Sequence, residues 1–246
     1  MALVAMVTYH FVYDLEMFGY VAPYTALAGP WAFFARGVAG SFLCLAGISL
    51  YLAHGPETVA PETLGPKTDP SKKYGGRIRW RKFWPRFAMI AAAAGLITLA
   101  TRYGLGERFI YFGILHAIAF SSLAGLAFLR LPVAALLALA AATAALPYLY
   151  RFEAASSPWL IWLGLGTTPS MAADFVPVFP WFAPVLLGIA IARSLRNTAA
   201  MARIAAVAAT PLLRALAFPG RHSLAVYLIH QPVLIGLLWG FARATG

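Results

Sequence analysis

Two residues in the first apolar stretch have types and a spacing that can do chemistry. His10 and Asp14 lie four positions apart, so on a helix they share one face with Met6 and Met17. A carboxylate beside an imidazole fixes its tautomer and raises its basicity, which is what a general base needs. The other reading of the pair is a polar clamp that ties two helices together. An ionisable side chain at mid-membrane costs roughly 2.5–3.5 kcal/mol or more, so a survivor there is a candidate site. His116 follows Tyr111-Phe112-Gly113-Ile114-Leu115, where Gly113 lets a neighbour approach closely. It is either a packed, satisfied residue or a third catalytic imidazole. His230 precedes Gln231 and Pro232, and with Ser223 and Tyr227 it falls on one helical stripe. Pro232 cannot donate to the Leu228 carbonyl, which opens the helix where polar groups cluster. That stretch is either a plain proline kink or part of a site, with Tyr227 and Gln231 available to an acceptor substrate.

Asp174 stands before Val176-Pro177-Val178-Phe179-Pro180-Trp181-Phe182-Ala183-Pro184, a rigid, proline-broken helix entrance. It either caps that helix or, with Trp181 at the membrane interface, meets an amine or sugar hydroxyl. A basic run over 72–86 is interleaved with Tyr74, Trp80, Phe83 and Trp84. Contact with anionic lipid and orientation of the chain is the first reading of the run. A cradle for a phosphorylated cofactor is the second, because arginine matches phosphate geometry. Nucleic acid is not expected, since the run abuts apolar spans.

The elements that must position these groups follow from composition. Of 246 residues, 61% are apolar and only 11% charged, against roughly 25% in a soluble domain. Mean hydropathy is +0.76. A soluble enzyme, a disordered chain and a disulfide scaffold are excluded, the last because Cys44 is the single cysteine. The expected fold is all-α, a polytopic membrane helix bundle of about seven transmembrane helices plus interfacial ones. The spans are placed at 2–20, 31–53, 83–101, 110–129, 131–150, 176–193 and 222–242. The Ala-rich stretch 197–218, with Arg196, Arg203 and Arg214 in or beside it and Pro211 within it, reads as interfacial helices. Residues 159–165 are too few to cross.

Fourteen of the nineteen Lys and Arg fall on one side of this topology, eight of them between Lys67 and Arg86, and five on the other. That split puts the N-terminus and the basic loop in the cytoplasm and the C-terminus outside. The +11 net charge is thus mostly a topology signal. Residues 56–73 form a linker-like cytoplasmic loop within a single integral membrane domain, 1–246. The first apolar segment holds His10 and Asp14 and has no basic leader, so a cleavable signal is not expected. Its abrupt start inside an apolar helix reads as a truncation or a late start codon.

Several stretches together resemble the catalytic-domain family of heparan-alpha-glucosaminide N-acetyltransferase and its bacterial relatives, within the wider transmembrane acyltransferases. They are Met6-Val7-Thr8-Tyr9-His10-Phe11-Val12-Tyr13-Asp14-Leu15, Gly40-Ser41-Phe42-Leu43 with Leu45-Ala46-Gly47-Ile48-Ser49-Leu50, Tyr111-Phe112-Gly113-Ile114-Leu115-His116-Ala117-Ile118, Asp174 through Phe182, and Gly220-Arg221-His222-Ser223-Leu224 with Tyr227-Leu228-Ile229-His230-Gln231-Pro232. Each is weak alone, whereas five in order are fairly specific. The resemblance implies acyl transfer from cytoplasmic acetyl-CoA to an amine or hydroxyl of a sugar on the far side. A membrane-embedded His would be general base or transient acyl carrier. Carried onto this chain, that His is His10 with Asp14 as its partner, and His116 and His230 are second choices. Arg79, Arg81, Arg86 and Arg221 would meet the phosphates of CoA. No metal is expected. The heparan acceptor itself does not carry over, and a bacterial envelope glycan or lipid-linked sugar at the inner membrane is the expected acceptor. Membrane lipids are the other partners, and a homodimer is left open.

Two other functions compete. Mid-membrane imidazoles can ligate a b-type haem or serve a quinone carrier. Broken sixth and seventh helices can line a transport path, although the chain lacks repeat symmetry. There is no P-loop, CxxC, HExxH or G-x-S-x-G motif.

Overall fold

The computed structural model describes residues 1–56, 78–207 and 210–245. All of the expected loop 56–73 except Pro56 lies outside the described residues, as do Lys67, Lys72, Lys73 and Arg77 of the basic run. The described residues form α-helices joined by short 3-10 turns, with a single isolated β-bridge between Phe112 and Phe175. In chain order the helices are α1 (Ala2–Met17), α2 (Gly29–His54), α3 (Trp80–Leu105), α4 (Ile114–Gly125), α5 (Val133–Leu149), α6 (Val178–Leu195), α7 (Ala199–Ala206), α8 (Pro211–Arg221) and α9 (Ser223–Thr245).

A helix stands at each of the seven places where a span is expected. Four stretches are long and apolar enough to cross a membrane: Gly29–His54, Trp80–Arg108, Val178–Leu195 and Ser223–Ala244. The others are shorter. Helix α4 has 12 residues, α1 has 16 and α5 has 17. At about 1.5 Å per residue, α4 reaches about 18 Å, against a hydrocarbon core of about 30 Å. The expected span 110–129 therefore opens as extended chain, not helix. Residues 110–113 are held by backbone pairing, with the Val176 N–H donating to the Phe112 carbonyl at 3.0 Å.

Local sequence explains the breaks. Phe179 has non-helical φ −101° and ψ 125° inside α6, because the ring of Pro180 pushes the preceding residue out of the α region. Pro211 opens α8, where its missing N–H costs no bond and its fixed φ suits the first turn. The stretch 197–218 accordingly resolves into α7 and the start of α8, as expected of two short helices. Residues 159–165 hold only a 3-10 turn, Ile161–Leu163.

The chain divides into two compact units. The first comprises Met1–Phe42 and Val207–Gly246, thus α1, the start of α2, α8 and α9. Here α1 packs along α9. Glu16 pins the connection after α1, accepting from Tyr24 N–H and Ala26 N–H at 2.7 Å each.

The second unit is Leu43–Ala206. Its densest packing joins α5 to α6, and Leu136, Val185, Leu186 and Ile189 are fully buried. The rest of α2 crosses α6 at glycines. A Cβ at Gly47 would strike the Val185 carbonyl, and one at Gly188 the Cys44 carbonyl. Helices packed in lipid gain from backbone approach of this kind, where small residues let van der Waals contact replace the hydrophobic effect.

Candidate functional site

Within the first unit, α1 and α9 bring four of the residues singled out in the sequence to one place. The imidazoles of His10 and His230 lie edge to face, with centroids 4.8 Å apart. One residue further along α9, Gln231 Nε2 donates to Asp14 Oδ1 at 2.6 Å. Asp14 has no solvent exposure at all. The sequence suggested that Asp14 would orient His10. Its hydrogen bond instead goes across to the other helix, and His10 Nδ1 has no partner among the described residues.

His230 has a defined tautomer. Its Nδ1 lies 2.6 Å from the Tyr227 carbonyl oxygen, which can only accept, so Nδ1 carries the hydrogen. Nε2 is then a lone pair, and it is buried without a partner. Asp14 Oδ2 and Gln231 Oε1 are likewise buried and unpartnered. Buried polar groups are nearly always hydrogen-bonded, so four orphaned atoms on four neighbouring side chains mark a place built to receive something. The lone pair of His230, the carboxylate oxygen and the amide oxygen are all acceptors. A hydrogen-bond donor would suit all three. A haem does not fit this arrangement, because the two rings touch edge to face and leave no slot for a macrocycle between axial ligands.

His116, in the second unit, is in a different condition. The Gly113 N–H donates to its Nδ1 at 3.3 Å, and its Nε2 lies 3.1 Å from Thr98 Oγ1. The Thr98 hydroxyl hydrogen goes to the Ile110 carbonyl at 2.8 Å, so Thr98 accepts from Nε2–H. Both ring nitrogens thus hold the start of α4 against α3. Asp174 belongs to the same unit and caps a helix, but not the one expected. Its Oδ2 accepts from the Ile114 N–H at 2.9 Å, at the N-terminus of α4 instead of α6. A Cβ at Gly113 would collide with that carboxylate, which is the reason for glycine there. Burial pushes the Asp174 carboxyl up to about 6, only partly offset by the Ile114 N–H. Trp181 is half-buried on α6.

The basic residues divide between the units. Arg79, Arg81 and Arg86 are exposed at the start of α3 in the second unit, whereas Arg221 ends α8 in the first. Beside Arg79 a cavity of about 430 Å³ is lined by His54, Pro56, Ile78, Trp80, Leu129 and Arg130. His54 also borders a smaller space of about 50 Å³ with Ser49, Phe83, Arg86 and Ser122. Among the described residues its Nδ1 is buried without a partner. His54 was not singled out in the sequence. Its only signal there is its place at the end of a span, where the chain turns toward the basic run.

The family model described as heparan-alpha-glucosaminide N-acetyltransferase, catalytic, matches residues 1–232 of the 246. The chain belongs to this family. The match runs through α1 to α8 and into α9 as far as Pro232, so it includes His10, His54, His116 and His230 as well as Asp14 and Asp174. Membership of the heparan-alpha-glucosaminide N-acetyltransferase catalytic family, with four helices able to cross a bilayer, makes this a membrane transferase of the acetyltransferase kind. It does not favour the haem, quinone or transporter readings. No curated relative and no solved structure matches the chain.

Proposed function

We propose that the protein moves an acetyl group from cytoplasmic acetyl-CoA to an amine or hydroxyl of an envelope sugar, with His10 as general base or acyl carrier. The observation that carries this reading is the pair His10 and His230 on α1 and α9, whose Nδ1 and Nε2 atoms are buried and unpartnered in a chain of an acetyltransferase family. A lone-pair imidazole nitrogen takes the proton of the acceptor N–H or O–H as that atom attacks the thioester carbon. The new C–N or C–O bond forms, the C–S bond breaks, and the CoA thiolate leaves with a proton. If His10 carries the acyl group, the same balance runs twice, first onto the imidazole and then onto the acceptor.

Acetyl-CoA fits the basic end of the second unit. Arg79, Arg81 and Arg86 would meet its phosphates, and the cavity at His54 and Trp80 is of a size to take the adenine or the pantetheine arm. Arg221, which ends α8 in the first unit, is a separate candidate for a phosphate contact. Tyr227 and Gln231, on α9 with His230, are assigned to the acceptor, while in the second unit Asp174 and His116 hold the start of α4. The chain is one catalytic domain, since the family match runs through both compact units. In this reading the chain crosses a bacterial inner membrane about seven times with the N-terminus inside, an orientation that the Lys and Arg distribution supports.

The test is incubation of purified protein and envelope glycan with radiolabelled acetyl-CoA. Wild type should label the glycan, and His10→Ala should not. A His10→Ala protein that transfers at the wild-type rate would remove His10 from the reaction.

A further inference from the structure

Asp14 is a costly residue for an apolar helix. It is fully buried, and among the described residues its carboxylate side chain accepts one hydrogen bond, from Gln231, a neutral side chain on another helix. A buried carboxylate without a cation is expensive, so its retention calls for a use. Orienting His10 would be the obvious one, but His10 Nδ1 has no partner. The bond to Gln231 does something else. It fixes α9 against α1 at one point, between partners 217 positions apart in the chain. His230 is the next residue to Gln231, and His10 lies one turn from Asp14. The clamp therefore sets both the register and the rotation that place one imidazole 4.8 Å from the other.

The register needs such a device. Pro232 leaves the Leu228 carbonyl without its helical donor just where α9 carries its polar residues. A helix loosened there can slide or turn by a fraction of an ångström. Displacement of about 1 Å in reacting groups can cost about a hundredfold in rate.

We infer that Gln231 is a positioning residue that, through its hydrogen bond to Asp14, holds His230 against His10 in the acetyl-transfer site. The inference rests on the acetyltransferase reading. It assigns Asp14 a hydrogen-bonding duty between helices in place of an electrostatic duty toward His10.

The two duties respond differently to substitution. Asp14→Asn keeps an oxygen able to accept from Gln231 and removes the carboxylate charge. Asp14→Leu removes both, and folds readily because leucine is favoured in an apolar helix. Gln231→Leu removes the clamp from the other side. Acetyl transfer is measured for wild type and the three variants, with kcat and KM for acetyl-CoA separated. The expected result is a kcat for Asp14→Asn at least tenfold above that of Asp14→Leu, with KM within about twofold throughout. Gln231→Leu should resemble Asp14→Leu. A ratio below tenfold between the two Asp14 variants overturns the inference: if both are inactive the charge matters, and if both are active the bond does not. Should Gln231→Leu fail to fold, the Asp14 pair decides alone. Wild type without transfer activity would sink the acetyltransferase reading itself, a separate outcome.

Discussion

Gln231 Nε2 lies 2.6 Å from Asp14 Oδ1, and the two side chains join the first helix of the chain to the last. Around that bond the roles of the other polar groups sort themselves. His10 and His230 keep a nitrogen without a partner, and His116 keeps none.

His230 should matter to the reaction as much as His10. Removing a general base costs about 10²–10⁴-fold in rate. His230→Ala is expected to lower kcat by that order. The double variant His10→Ala/His230→Ala should be little worse than the poorer single one, because residues acting as a unit are not additive. Initial rates of acetyl transfer for the three variants check this, and fully additive losses would count against a shared task.

His116→Ala should act on the fold more than on turnover. The change leaves the buried Gly113 N–H without its partner, at a cost of about 1–3 kcal/mol, and leaves Thr98 only its bond to the Ile110 carbonyl. A lowered melting temperature in detergent, with kcat far less reduced than in His10→Ala, is the expected pattern. An unchanged melting temperature with lost activity would return His116 to the chemistry.

Asp174 gives a pH-dependent stability of definite sign. Its carboxyl titrates at about 6 in the folded protein against an ordinary 3.8, because burial disfavours the charge. Between these values the folded chain binds more protons than the unfolded one, so stability falls as pH rises. The contribution is fully present below about pH 4 and is lost above about pH 6. Asp174→Asn still accepts from Ile114 and cannot titrate. Melting curves of wild type should therefore decline relative to this variant between pH 4 and 7. Parallel curves would show that Asp174 is not the group responsible.

The glycine crossing of α2 and α6 should tolerate almost nothing. Gly188→Val would drive its side chain into the Cys44 carbonyl, and that is backbone, which cannot swing aside. Overpacking of this kind costs about 1–3 kcal/mol or more. Loss of folded protein on size-exclusion chromatography is expected for Gly188→Val. Gly236→Ala, with open space around its Cβ position, should behave as wild type.

Much of this was legible in the sequence, for identifiable reasons. The all-α fold and the four long apolar helices announce themselves by composition and length, whereas three of the seven expected spans proved shorter helices, and the histidines and aspartates stand out because charge is expensive there. What spacing could not supply is the partner of each group. His10 and Asp14 are four apart on one helix, which made an intrahelical pair the natural expectation, yet Asp14 bonds to Gln231. Asp174 reads as the cap of the helix that follows it, and it caps α4 because the Phe112–Phe175 bridge brings the two strands of chain alongside. His54 was invisible because one histidine at the end of a span has no pattern. Its cavity exists only once α2, α3 and the chain around residues 126–130 meet.

The hydrogen that defines the His230 tautomer is held by a main-chain oxygen, that of Tyr227. No replacement of the Tyr227 side chain removes that oxygen. An alanine scan of α9 will therefore report the phenol and miss the carbonyl, although the backbone there decides which nitrogen is free. A main-chain ester at that peptide, or a change that re-forms the helix around Pro232, would reach it.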